Sequence, residues 1–252
     1  MQNSSKKKYT YNDFKKLFTN ETWYNIMEEI LESTKDNPKE EEERQQIQGL
    51  IFNLIREYNN DPKIRPKFED LFKEVNNFDL KKLSVVIMYF KNENIDLREH
   101  NILEELYDEY RYLIKIPKHK FIDNYNFDSL KSQGILTLYL CMTYSETNQD
   151  FHTRLWQMLM PKIIAEINKR QKYVIYLLWD QKLTSISNEI KRQENDIGKK
   201  KTADDKRKII SYLILQSESL PKGKINKFKG CNHFIITNHF LKRWHKPMIN
   251  WV

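Results

Sequence analysis

Apolar positions recur along this chain at two different periods. Tyr11, Phe14, Phe18 and Trp23 open a helical spacing near residue 10. Between Glu40 and Tyr58, Ile47, Leu50, Ile51, Leu54 and Ile55 return at steps of three and four. The acidic run Glu40 to Glu43 ahead of them suits the positive end of a helix dipole, so this segment predicts an amphipathic helix with a solvated start. Four short apolar runs follow, at Leu83 to Phe90, Ile135 to Leu140, Tyr173 to Trp179 and Ile209 to Leu215, each separated from the next by helical or polar sequence. Strands alternating with helices predict a parallel sheet. Between the second and third runs, Leu155, Met158, Leu159, Ile163, Ile164 and Ile167 form a helical stripe in which Pro161 is expected to kink or restart the helix. Met158 and Met160 read as core. A last helix around Phe234, Ile235, Leu241 and Trp244 precedes Pro247.

The chain has 252 residues, enough for one sizeable core, and a single domain over residues 10–252 is expected behind a basic tail, 1–9, that ends in Lys6, Lys7 and Lys8. Within it, residues 10–80 read as a helical part and 188–208 as an exposed, charged insertion. Only 5 glycines occur, which argues against Gly-rich phosphate loops and hence against P-loop and Rossmann enzymes. The two cysteines, Cys141 and Cys231, lie in no CxxC pair, so neither a disulfide framework nor a zinc ribbon is expected, and a reducing compartment fits. No apolar stretch approaches the roughly 20 residues of a bilayer span, so an intracellular protein without a membrane partner is expected. Heavy Lys, Asn and Ile usage points to an A+T-rich genome such as that of a virus, plasmid or parasite.

The formal net charge is +8. Its densest expression is a set of lysines and one arginine, Lys199, Lys200, Lys201, Lys206, Arg207 and Lys208, continued downstream by Lys222, Lys224, Lys227 and Lys229. Lysines need only proximity to track a phosphate backbone, so these residues are the candidate DNA contacts.

Towards the C-terminus the residues become specific. Phe228-Lys229-Gly230-Cys231-Asn232-His233-Phe234, then Thr237-Asn238, Pro247 and Ile249-Asn250-Trp251, resemble the closing segment of uracil-DNA glycosylases. Leu177-Leu178-Trp179 is similar to that family's Leu-Leu-Trp-Gly strand, Gln133-Gly134-Ile135-Leu136 to its Gln-Gly-Val-Leu, and Val85-Val86-Ile87 to the strand feeding its water-activating loop. The resemblance implies an α/β fold, three-layer α/β/α around a central four-stranded parallel sheet, and the four apolar runs agree.

Carried over by motif, the family's catalytic groups are replaced. Where its Gly-Gln-Asp-Pro-Tyr-His loop holds a water-positioning Asp, this chain reads Tyr89-Phe90-Lys91-Asn92-Glu93-Asn94, setting the cation Lys91 against an oxocarbenium-like transition state. The base-reading Asn falls on Tyr139, which has no amide. The His of the leaving-group loop falls on Glu218, which would repel the departing base anion, and Leu220 is the candidate wedge for the gap a flipped base leaves. The resemblance with these replacements implies a catalytically inactive, glycosylase-fold protein that binds DNA nonspecifically and docks a protein partner in replication, repair or transcription. Two alternatives stand beside it: a glycosylase-like enzyme with shifted base specificity, and a protein-only scaffold. No cofactor is expected. A metal site at Cys231, His233, His239 and His245 matches no zinc spacing, and a Glu93–Glu218 carboxylate dyad would require both loops to face one pocket. His100, His119 and His152 are expected at the surface.

Overall fold

The computed structural model describes residues 8–33, 37–89, 95–126, 128–199, 212–218 and 228–252. Among these, helices α1 (Tyr11–Lys15), α2 (Glu21–Leu31), α3 (Pro38–Asn60) and α4 (Lys73–Asn76) precede strand β1 (Val85–Tyr89). Helices α5 (Ile95–Tyr110), α6 (Lys118–Asn124) and α7 (Asp128–Lys131) lead to β2 (Ile135–Tyr139), and α8 (Gln149–Arg170) leads to β3 (Val174–Leu178). Helix α9 (Thr184–Lys199) precedes β4 (Tyr212–Gln216), and α10 (His233–Arg243) closes the series. The chain divides into two compact units, 1–78 with 141–167, and 79–140 with 168–252.

The first unit is helical. Thr10 and Asp13 form a reciprocal capping box on α1, while the Asn20 and Asn37 side chains accept backbone N–H groups at the starts of α2 and α3. The predicted stripe of α3 is buried at Ile47, Ile51, Leu54, Ile55 and Tyr58. Its acidic start is not wholly solvated, because Glu43 pairs with Lys162 of α8 at 2.5 Å. Helix α8 runs through Pro161 without interruption, so that residue does not restart it. Met160 is fully buried, whereas Met158 is half-buried. His152, expected at the surface, is fully buried instead: its Nδ1 lies 2.6 Å from Thr143 Oγ1, which also accepts the Trp156 indole N–H at 2.7 Å. It sits on the apolar side of α8, where a polar residue type misleads a reading by composition.

The second unit holds the sheet. All four strands are parallel, in the order β2-β1-β3-β4, with Val85 opposite Ile135 and Ile175, and Ile175 opposite Leu213. Every residue of β1 and β3 is buried, as a parallel sheet covered on both faces requires. Val85, Ile87 and Tyr89 alternate with Val86 and Met88, and the first set joins Ile102 and Leu106 of α5 and Phe234 and Leu241 of α10 in one core. The expected α/β fold with a four-stranded parallel sheet is therefore present. The segment 188–208 opens inside α9, whose Ile186 and Ile190 are fully buried; residues 200–208 lie outside the described residues.

Candidate active site

Strand order places the site. β1 leads to β2 on one side and β3 leads to β4 on the other, so the direction of winding reverses between β1 and β3. Ligands of open α/β sheets bind at the carboxyl ends of strands at such a reversal. The residues leaving the strands there are held in register by backbone hydrogen bonds: Leu140 N donates to Tyr89 O (3.0 Å), Trp179 N to Met88 O (2.9 Å) and Ser217 N to Leu178 O (3.0 Å).

Four side chains define this carboxyl edge among the described residues. Tyr89 and Tyr139 are directly paired across β1 and β2, and their rings meet edge to face at 5.1 Å. Tyr139 therefore places a phenol at the end of β2. Asp180 follows β3 and accepts the backbone N–H of Lys182 at 2.9 Å, which fixes its carboxylate at the start of a short 3-10 turn. Glu218 lies two residues beyond β4 and is buried. Adjacent strands are spaced at ~4.8 Å, so the Asp180 and Glu218 backbones leave neighbouring strands and the Tyr139 and Asp180 backbones lie about two spacings apart.

Behind the rim, the residues of the C-terminal motif converge. Trp179 packs edge to face on Phe228 (5.2 Å) and Phe234 (5.7 Å), and Phe234 on Trp251 (4.9 Å). The Trp179 indole N–H donates to His233 Nδ1 at 3.0 Å, and burial pushes the His233 pKa down to about 4. Asn238 ties the chain end to α10, accepting from Ile249 N and donating to Ile249 O, both at 2.8 Å. The turn before α10 is held by two acids of α5. Glu105 accepts from Gly230 N (2.7 Å) and Asn232 N (3.3 Å), and Glu109 from Ile235 N (2.8 Å) and Phe234 N (3.4 Å).

Glu105, Glu109 and Cys231 bring their ligand atoms within 4.8 Å of one another. The carboxylates are committed to backbone N–H groups at a helix start, and burial pushes the Cys231 thiol up to about 12, so this cluster reads as a cap. Nothing in the local sequence announces it, because the partners are about 125 residues apart.

Of the other residues singled out in the sequence, Lys229 is exposed beside Gly230 and Lys199 closes α9. Lys91, Glu93, Asn94, Leu220, Lys200, Lys201, Lys206, Arg207, Lys208, Lys222, Lys224 and Lys227 lie outside the described residues.

A curated uracil-DNA glycosylase of Pseudomonas fluorescens is 29% identical over 154 residues, 60% of this chain and 56% of that protein. One from Fusobacterium nucleatum is 26% identical over 152 residues, covering 57% of its length. The uracil-DNA glycosylase of Aliivibrio salmonicida matches at 22% over 241 residues, 88% of this chain and 95% of the relative. In sequence and in fold the chain is similar to uracil-DNA glycosylases. No family model matches it. The crystal structure of mimivirus uracil-DNA glycosylase aligns with a TM-score of 0.62 at 18% identity, over 97% of this chain and 90% of that one. A variant of it in complex with UGI aligns at 0.65 and 16%. At these identities the structural matches establish the fold.

Similarity to these glycosylases corrects one expectation. The sequence-based reading was that the chain is not an enzyme; the matched relatives are uracil-DNA glycosylases, which are enzymes. The expectation of inactivity rests on the replacements at Lys91, Tyr139 and Glu218. Two acids nevertheless stand at strand ends of the same edge, Asp180 after β3 and Glu218, itself one of the replacements, after β4.

Proposed function

We propose that this chain is a DNA glycosylase that hydrolyses the bond between a base and its sugar, with a base preference shifted away from uracil. The first matched relatives are covered over little more than half their length, and no helix of the described residues is long and apolar enough to cross a membrane. The observation that carries the shift is the Tyr89–Tyr139 pair on the carboxyl edge. A base reader with an amide offers a donor and an acceptor to the edge of uracil, whereas the Tyr139 phenol offers one hydroxyl and a ring face. Such a wall favours a larger or less polar base and weakens discrimination by hydrogen bonds.

Hydrolysis needs a carboxylate to orient water and to offset positive charge building on the sugar. Asp180 and Glu218 are the described candidates, with Glu93, which follows β1 in sequence, as a further one. The lysines from Lys199 to Lys229 serve as backbone contacts, and Leu220 as the wedge.

The test is the ratio of single-turnover base release from uracil-containing and other modified duplexes, for the native chain and Tyr139→Asn. The expected result is a shift of at least about tenfold towards uracil in the variant, the order of one hydrogen-bonding pair. An unchanged ratio removes Tyr139 as the reader.

A further inference from the structure

We infer that the amino-terminal edge of the sheet, opposite the carboxyl rim, is a second nucleic-acid surface that binds the phosphate backbone of duplex DNA independently of the pocket. It rests on the glycosylase reading only for the choice of DNA as the polyanion.

Because all four strands are parallel, the segments leading into them converge on one edge. Lys81 and Lys82 precede β1, Lys131 precedes β2, and Lys169, Arg170 and Lys172 precede β3; all are exposed. The end of α10 joins the same edge. Lys246 Nζ donates to the carbonyl of Leu83, just ahead of β1, at 3.0 Å, and Trp244 packs on Tyr173, just ahead of β3, at 5.6 Å. This brings the exposed Lys242 and Arg243 alongside. Segments 79–84, 128–134, 168–173 and 241–246 together hold nine Lys or Arg against two acids, Asp79 and Asp128. One of those two is already engaged, since Asp79 accepts the backbone N–H of Lys81 at 3.0 Å. The described residues leaving β3 and β4 show the opposite balance, with Asp180 and Glu218 against Lys182.

A lysine in a last helical turn stabilises its own helix by a few tenths of a kcal/mol to about 1 kcal/mol. That accounts for Lys131, Lys169 and Lys242 singly. It accounts neither for Lys172, beyond the end of α8, nor for the gathering of the basic residues of these four segments on one edge. The width of β2-β1-β3, about 10 Å at ~4.8 Å per strand, matches roughly six charges of a duplex at one per ~1.7 Å. Exposed charges of one sign across such a span raise the potential that attracts a polyanion.

The test uses the full chain and a uracil-free duplex of about 30 base pairs, with affinity measured against salt. An edge variant carries Lys82→Ala, Lys172→Ala, Lys242→Ala and Arg243→Ala. A control carries the same charge change on exposed residues of the first unit: Lys39→Ala, Arg56→Ala, Lys63→Ala and Lys67→Ala. Each lost phosphate contact lowers the slope of log K against log salt by about 0.9. The expected result is a slope lower by about 2 to 4 in the edge variant and binding at least tenfold weaker at low salt, with the control unchanged. Equal slopes in both variants, or no duplex binding by the native chain, overturn the proposal, as does loss of affinity only for an acidic protein. Base release is read separately: its absence with the slope change intact defeats the glycosylase reading and leaves this surface standing.

Discussion

The indole N–H of Trp179 points at Nδ1 of His233, 3.0 Å away, and so joins the end of β3 to the start of α10. With Nδ1 accepting, the ring is neutral and its proton sits on Nε2. Burial pushes the His233 pKa from 6.5 down to about 4. As pH falls, the unfolded chain takes up this proton first, so the stability tied to the neutral ring is complete above about 6.5 and is withdrawn between there and about 4. His233→Phe leaves the buried indole N–H without an acceptor and is expected to cost about 1–3 kcal/mol at pH 7, and to abolish this slope. Urea unfolding followed by tryptophan fluorescence at several pH values checks both.

Glu109 gives a slope of the opposite sign. Burial raises its pKa from 4.5 to about 7 against the lowering pull of the Ile235 and Phe234 N–H groups, with Glu105 adding to the rise. The folded chain keeps a proton that the unfolded chain has released, so stability is highest below about 4.5 and declines as pH rises to about 7. Glu109→Gln preserves an acceptor for Ile235 N and is expected to flatten this decline. Because His233 and Glu109 act in overlapping ranges, the two single variants should tilt the stability–pH curve in opposite directions.

Glu105 is nearly fully buried and accepts from Gly230 and Asn232. Glu105→Ala orphans both N–H groups, with an expected loss of about 1–3 kcal/mol. Hydrogen exchange at residues 230–235 should quicken more than in β1 or β3, because the damage is local to the turn that starts α10.

Gly134 fixes the approach to β2. Its φ is +85°, its carbonyl accepts from Ser84 N (2.9 Å) and Val85 N (3.2 Å), and a β-carbon there would overlap the Lys82 carbonyl oxygen. Gly134→Ala is expected to cost at least about 2–4 kcal/mol, from a left-handed backbone and a backbone clash together. The midpoint of chemical denaturation measures it.

The strands were legible because a parallel sheet buried on both faces writes itself as short continuous apolar runs; β1, β2 and β3 fall within the predicted segments, and β4 runs one residue past its own, to Gln216. The C-terminal motif was legible for a similar reason: Phe228, His233 and Phe234 are packed around Trp179, and Trp251 on Phe234, where few other residue types fit. His152 was misjudged because its partner, Thr143, is met only in the fold. The pairing of Glu105 and Glu109 with the start of α10 was invisible because helix caps borrowed from another helix have no sequence spacing. The likeness to enzymes was not legible at Lys91, Tyr139 and Glu218, whose residue types depart from the family's motifs; that Asp180 and Glu218 share one edge is set by the pairing of β3 with β4.

Base release is the direct measure of the glycosylase account. Purified full-length chain in excess over duplexes carrying uracil or other modified bases should liberate a free base and leave an abasic site in a single turnover, and Asp180→Asn or Glu218→Gln should slow that release by at least about a hundredfold. Folded protein that binds these duplexes and frees no base from any of them would contradict it.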